Sequence, residues 1–338
     1  MRSLTLAARG RRLGAVIASV AALAAGALIT SAPAQAAATG PAFSAPDSTI
    51  DAAVTCDGDL SSSSKTPVLL VPGTTLTPAI NFSWNYEKVF SAQGRPWCAV
   101  TLPNHAMSDI QVAGEYVARA IRTTYAQAGR RIDVLGFSQG GMVPRWALKY
   151  WPDTRAMVDD LVGLDPSNHG TLDAHPICAL PGGCAPAFWQ QRTGSDFLTA
   201  LNDGPETWAG ISYTQIYTAT DEVVVPNVDP AASSALHTGA GAISNVMVQS
   251  ICPVHVSEHL SMGTSDPVGY ALALDAFDHA GPAKASRISR TVCLRDVFPG
   301  IDRLAYPANF GKVLATAGEQ ALTAKRVPAE PELAAYAR

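Results

Sequence analysis

The chain has 338 residues, of which 24 are Lys or Arg and 28 Asp or Glu, giving a formal net charge of −4. That length accommodates one large domain or two smaller ones. A slight acidic excess with no basic tract leaves no surface for nucleic acid, which excludes that class of partner.

The first segment reads as a targeting signal. Arg2, Arg9, Arg11 and Arg12 precede the apolar run LGAVIASVAALAAGALI (13–29), and APAQA follows. This order of basic, apolar and Ala-x-Ala segments predicts a secretory signal peptide over 1–36, cleaved after Ala36. A run so rich in Ala and Gly is short for a bilayer span, so no stable membrane anchor is expected. Removing residues 1–36 takes away four Arg and no acid, leaving 20 basic residues against 28 acidic, a formal charge of −8. All six Cys (Cys56, Cys98, Cys178, Cys184, Cys252 and Cys293) lie beyond it. An even count in an exported chain argues for disulfides, with sequential pairing the simplest of the possible connectivities. A Cys178–Cys184 loop would contribute about 2 kcal/mol in the chain-entropy model, which marks it as local shaping.

Residues 37–338 read as one domain. After the SSSSK tract, PVLLVPGTT is a short apolar run stopped by Pro-Gly, a buried strand entering a loop. SDIQVAGEYVARAIRTTYAQAG places Ile110, Val112, Tyr116, Val117 and Ile121 on one helical face. RIDVLGFSQGGM is a strand running into a glycine turn. Further strands are expected in DDLVGLDPSNHG (159–170), ISYTQIYTATDE (211–222) and NVMVQSIC (245–252). Strands alternating with helices predict an α/β fold, a mainly parallel sheet covered on both faces, with functional residues past the carboxyl ends of strands.

Gly136-Phe137-Ser138-Gln139-Gly140 is G-x-S-x-G between an apolar strand and the helical MVPRWALKYW, the context of a nucleophile elbow in an α/β-hydrolase. Pro144 fits imperfectly, since it removes a backbone donor about one turn into the helix. A serine nucleophile needs a base, and the base an orienting acid; in this fold the chain order is Ser, acid, His. Asp221 follows its strand into a loop and is the expected acid. Asp165 also ends a strand and is expected as a polar pocket residue. His259, near Cys252, is the expected base. The oxyanion would be held by the Gln139 N–H and by Thr74 of the VPGTT loop.

Residues 255–259 read HVSEH, which has the letters of an inverted zinc-protease motif. Zinc binding there requires a helix carrying His255 and His259 on one face. Cys252-Pro253 just before, and Val254 and Val256 in strand-like alternation, argue against a helix. No metal or other cofactor is therefore expected, and His255 is read as a structural neighbour.

PAFSAPDSTIDAAVTC, LLVPGT, SQGG, FWQQRTGS, YTATDE and the EH of HVSEH together resemble the lipase B family of secreted α/β-hydrolases, over roughly residues 41–276. The resemblance implies a metal-free enzyme acting on water-insoluble carboxylic esters, a triad of Ser138, Asp221 and His259, and an oxyanion hole of Thr74 and Gln139. It places Asp165 and Gln191 among the polar residues of the pocket and pairs Cys56 with Cys98 and Cys252 with Cys293. Phe137 stands where the family lipase has Trp, implying a roomier alcohol side. Cys178 and Cys184 have no counterpart there and would staple a lid-like segment near 169–194. ANFGKVLATAGEQAL offers Val313, Leu314 and Ala317 either to an acyl groove or to the core.

The expected function is thus a secreted, monomeric serine esterase or triacylglycerol lipase whose partner is an apolar ester, met at an oil–water interface. A cutinase-like polyester hydrolase and an acyltransferase for envelope lipids are rival hydrolase-fold readings. A zinc metallohydrolase using HVSEH and a non-catalytic exported binding module are rivals of another class.

Overall fold

In the computed structural model, the described residues are 38–338; the expected signal peptide and its cleavage site lie outside them. The described residues fall within one compact unit. Seven strands form a single sheet: β1 (Val54–Asp57), β2 (Val68–Val71), β3 (Trp97–Val100), β4 (Ile132–Phe137), β5 (Val158–Leu164), β6 (Ser212–Tyr217) and β7 (Ala242–Met247). Their spatial order is β1-β3-β2-β4-β5-β6-β7, and only β1 runs antiparallel to its neighbour. Every residue of β2, β3 and β4 is buried, as expected of central parallel strands covered on both faces.

The two covering layers form separate cores. On one face lie the helices Ile110–Ala128 and Gln139–Tyr150, with Tyr116, Val117, Ile121, Trp146 and Phe197 packed together. On the other lie Tyr86–Ala92 and Pro267–Asp278, whose core is built from Tyr86, Phe90, Leu272 and Phe298. The Ile110–Ala128 helix starts where the Asp109 side chain accepts from the Gln111 N–H at 2.9 Å, and it ends at Gly129 with φ 64°. Val112 is only partly buried, at the margin of the predicted face.

The strand expected over 245–252 is shorter and shifted: β7 ends at Met247 and a 3-10 turn follows over Val248–Ser250. β7 is an edge strand whose one partner, β6, also stops, at Tyr217 opposite Met247. With no ladder left, Gln249 turns in to bond the Ala219 N–H and the His255 carbonyl, tying together two loops of the site.

Three disulfides, Cys56–Cys98, Cys178–Cys184 and Cys252–Cys293, follow the sequential pairing. The segment after the long helix Tyr306–Thr323 returns as a strap. Val327 exchanges backbone hydrogen bonds with Cys184, and its carbonyl also accepts from Trp189 Nε1 at 2.9 Å. Further along, the Ala334 N–H donates to Gln111 Oε1 at 2.7 Å, and the Tyr336 ring lies against Trp146, Tyr150 and Trp151.

Candidate active site

Ser138 sits between the end of β4 and the first turn of the Gln139–Tyr150 helix, with φ 54° and ψ −124°, a strained conformation for a residue with a Cβ. The turn is tight enough that its two glycines cannot be replaced. A Cβ on Gly136 would lie 1.9 Å from the Gly140 carbonyl oxygen, and one on Gly140 would lie 2.2 Å from the Val71 carbonyl oxygen. Pro144 lies inside the helix. Lacking an N–H, it leaves the Gly140 carbonyl without its usual helical partner, and that same oxygen is the one lying over Gly136.

His259 is the first residue of the short helix His259–Met262, whose N-cap Glu258 accepts from the Leu260 and Ser261 N–H groups at 2.9 and 2.6 Å. The Cys252–Cys293 disulfide pins the base of the loop that leads to it. Nδ1 of His259 contacts Asp221 Oδ2 at 3.0 Å, which orients the ring and leaves Nε2 free, and the Phe137 ring packs 4.8 Å from the imidazole. Asp221 occupies the turn after β6. Its Oδ1 accepts from the Val223 and Val224 N–H groups at 2.9 and 2.8 Å, and its Oδ2 from Asn227 Nδ2 at 3.0 Å. Burial opposes charge on both partners. It is overcome in each case: His259 and the backbone donors hold the Asp221 carboxyl below its ordinary range, and the carboxylates of Asp221, Glu222 and Glu258 hold the His259 imidazole above its own.

Across the cleft, Gln139 is the first helical residue, so its N–H has no intrahelical acceptor. Its side chain is fastened to the Ala106 carbonyl at 3.0 Å. Thr74 Oγ1 accepts from Gln191 Nε2 at 3.0 Å, which leaves the Thr74 hydroxyl proton available to a further acceptor. Ser138, His259, Thr74 and Gln191 all line one pocket of about 230 Å³. Its remaining wall is mostly apolar, with Phe137, Ile177, Phe188, Val224, Leu260 and the alanines Ala317 and Ala321.

The model of the class 2 lipase family matches residues 65–259, which contain all of these side chains except the Ala317 and Ala321 wall and Leu260. Lipase B of Pseudozyma antarctica is 36% identical over 307 residues, covering 88% of this chain and 86% of the relative. The chain belongs to the class 2 lipases. The crystal structure of Aspergillus fumigatus lipase B superposes with a TM-score of 0.83 at 32% identity, over 89% of this lipase and 74% of that chain. A Bacillus licheniformis lipase, BlEst2 in its propeptide form, shares the fold at 16% identity, with a TM-score of 0.51 over 68% of this chain and 54% of that one. This lipase is accordingly a carboxylic ester hydrolase with the α/β-hydrolase fold.

The structure corrects one pocket residue. Asp165 is fully buried and does not line the pocket; it stands behind the Asp221–His259 pair. Its Oδ1 accepts from the Thr218 N–H at 2.9 Å and from Asn227 Nδ2 at 3.2 Å, and its Oδ2 lies 3.9 Å from His259 Nδ1. Burial first, and then the neighbouring Asp221 charge, push the Asp165 carboxyl well up, which favours its neutral form beside Asp221. Besides Thr74, Gln191 has Ser167 as a polar partner, whose Oγ donates to Gln191 Oε1 at 2.9 Å. The sequence misled here because β5 and β6 are neighbours, so an acid at the end of either reaches the same point.

The HVSEH pair is separated. Residues 253–258 form neither helix nor strand, and Val254 and Val256 are exposed. His255 Nε2 is bonded to Asp266 Oδ2, while Asp266 Oδ1 caps the Pro267–Asp278 helix at the Val268 and Gly269 N–H groups. The two histidines therefore do not share a helical turn. Of the three helix-born candidates for the acyl groove, Val313 is buried in the core and Leu314 is half-exposed, whereas Ala317 lines the pocket.

Sequence reading missed Asn81. It is fully buried, accepts from the Gly73 N–H at 3.1 Å and donates to the Gly263 carbonyl at 3.0 Å, so it ties the Thr74 loop to the far end of the His259 helix. Nothing in its local sequence, PAIN, signals that role.

Proposed function

We propose that this lipase cleaves neutral esters of apolar acids through an acyl-enzyme on Ser138. His259 Nε2 takes the Ser138 proton as Oγ bonds to the ester carbonyl carbon, and the carbonyl π electrons move onto oxygen. The Gln139 N–H and the Thr74 hydroxyl hold that oxyanion. Collapse breaks the bond to the alcohol oxygen, which takes the proton from the imidazolium; water, deprotonated by His259, then releases the acid. Asp221 carries the charge that stabilises the imidazolium. The observation that carries this reading is the 3.0 Å Asp221–His259 contact at a pocket shared by Ser138 and His259 and walled by aliphatic side chains.

The acyl chain lies against Ala317 and Ala321, and the segment stapled by Cys178–Cys184 forms the opposing rim through Ile177. The enzyme works as a monomer on lipid esters at an oil–water interface and is exported with cleavage after Ala36. Among the described residues no helix is long and apolar enough to cross a membrane, which is consistent with that placement.

The test is to treat the purified enzyme with a long-chain alkyl phosphonate, with and without EDTA, and to locate the adduct by peptide mass spectrometry. An adduct on Ser138, formed with either buffer and proportional to lost ester hydrolysis, is expected. Activity abolished by EDTA, or inactivation with no adduct on Ser138, would sink the proposal.

A further inference from the structure

The strands that carry the active site at one end begin, at the other, with a cluster of acids. β4 opens with Ile132-Asp133 and β5 with Val158-Asp159-Asp160. Their pairing steps from Ile132–Val158 to Val134–Leu161, so Asp133 alone opposes both Asp159 and Asp160. Such a bulge re-aims side chains that regular pleating would send to opposite faces. One carboxylate oxygen from each of the three comes within 4.8 Å of the others.

Two of these acids are buried, each with one oxygen unpartnered. Asp133 is 2% exposed and Asp160 6%, and neither Asp133 Oδ2 nor Asp160 Oδ1 has a hydrogen-bond partner. Arg95 and Arg131 favour the charged forms of Asp133 and Asp160 without forming an ion pair with either, and burial outweighs them. Arg131 reaches Asp159 at 3.1 Å, and Arg95 is engaged by Asp278 and by the Thr66 carbonyl. All three acids line a surface cleft of about 300 Å³, together with Asp278 and His279. His279 Nδ1 is turned to the Asp275 carbonyl at 3.0 Å. Burial, then the adjoining aspartates, push both inner carboxyls up, Asp160 to about 8. Three converging carboxylates, two with buried bare oxygens, at a surface cleft have the donor chemistry of a cation ligand set.

We propose that Asp133, Asp159 and Asp160 bind a hard divalent cation, calcium in preference to zinc or magnesium. All three ligands are carboxylate oxygens with no thiol or imidazole among them, which disfavours zinc. A bulge supplies them in an irregular arrangement, which the flexible coordination of calcium accepts and the strict octahedron of magnesium does not; cleft water completes the shell. Bound there, the ion links the first turns of β4 and β5 at the end of the sheet away from Ser138, and so stabilises the fold without touching the ester chemistry.

The experiment is calorimetric titration of the chelator-treated, purified enzyme with CaCl₂ at pH 8, alongside thermal unfolding. Expected are one saturable site with a dissociation constant on the order of 10⁻⁴–10⁻³ M, and a rise in Tm of about 2–4 °C at tenfold excess. Asp159→Asn, at a half-exposed side chain, should fold and weaken binding about tenfold or more; Asp160→Asn should abolish it. Ester hydrolysis well below the Tm should be unchanged. No saturable heat and no Tm rise in the wild type would overturn the site. So would equal titration of Asp159→Asn and wild type, or a Tm rise matched by choline chloride at the same ionic strength. An equal response to MgCl₂ would overturn the choice of calcium.

Discussion

Asp165 Oδ2 lies 3.9 Å from His259 Nδ1, with no N–H or O–H donor reaching it, and faces the carboxylate of Asp221. Two buried acids at one imidazole can share one negative charge if the inner one keeps its proton. Asp165 then acts on Asp221 as a donor, positioning it, and contributes no charge of its own.

That arrangement separates two variants. Asp165→Asn keeps a donor and should retain kcat/KM within about threefold, whereas Asp165→Ala should lose about tenfold. Without the donor, the Asp221 charge bears more fully on His259, so the acid limb of the Asp165→Ala pH–rate profile should move to higher pH. A limb moving to lower pH would mean that Asp165 is ionised in the wild type.

On the proposed mechanism hydrolysis needs His259 neutral, and its folded pKa stands above the ordinary imidazole value. Activity should therefore be full at alkaline pH and be lost as pH falls through a point above that ordinary value. Asp221→Asn should reduce kcat by about 10⁴ and move the surviving limb down, both read from kcat/KM against pH.

Thr74 and Gln191 form a second linked pair. Thr74→Val removes a hydroxyl from the proposed oxyanion hole and should lower kcat by about a hundredfold with KM little changed. Gln191→Leu removes what orients that hydroxyl and should cost about tenfold, also in kcat. An unchanged kcat in Thr74→Val would place the second oxyanion donor elsewhere.

The acyl wall predicts a specificity change. Ala317→Phe narrows the pocket beside Ala321. It should cut kcat/KM for dodecanoyl esters at least about tenfold while leaving butanoyl esters within about threefold. A uniform loss across chain lengths would show that the acyl chain does not pass this helix.

Glu206 sets an acid limit on stability. Its carboxylate meets His169 Nε2 at 2.8 Å and the His237 and Thr238 N–H groups at 2.7 Å each, with Arg145 at 3.9 Å. Burial raises its pKa, but these partners outweigh it and hold the group at about 2. A folded value below the unfolded one stabilises the protein above the ordinary carboxylate range and ceases to do so as pH falls toward 2. Glu206→Gln should therefore cost about 2 kcal/mol at neutral pH. In urea titrations that cost should shrink between about pH 4.5 and 2.

What the sequence discloses and what it hides divide along local and tertiary lines. The Ser138 elbow is legible because its glycines are demanded by contacts within the turn and with the adjacent strand. Asp221 and His259 follow from strand ends and chain order. Asp165 looks the same as Asp221 in sequence, and only the packing of β5 against β6 decides that it is the buried one. Asn81 bonds a residue 182 positions away, and the Asp133–Asp159–Asp160 cluster depends on a register step that leaves no local signature.

The strap over 325–338 also dictates an order of assembly. All seven strands, the Ser138 elbow and the His259 helix are encoded before residue 263, while the Ala317 wall and the Val327 and Tyr336 fastenings come after residue 305. As the chain emerges from the ribosome, amino end first, Ser138 and His259 can meet in a trough still missing one bank. The apolar trough bed then faces water until the Tyr306–Thr323 helix arrives with Ala317 and Ala321, and the strap that follows fastens the chain after that helix to Cys184 and to the Trp146 cluster, which makes it the clasp on a slot already walled.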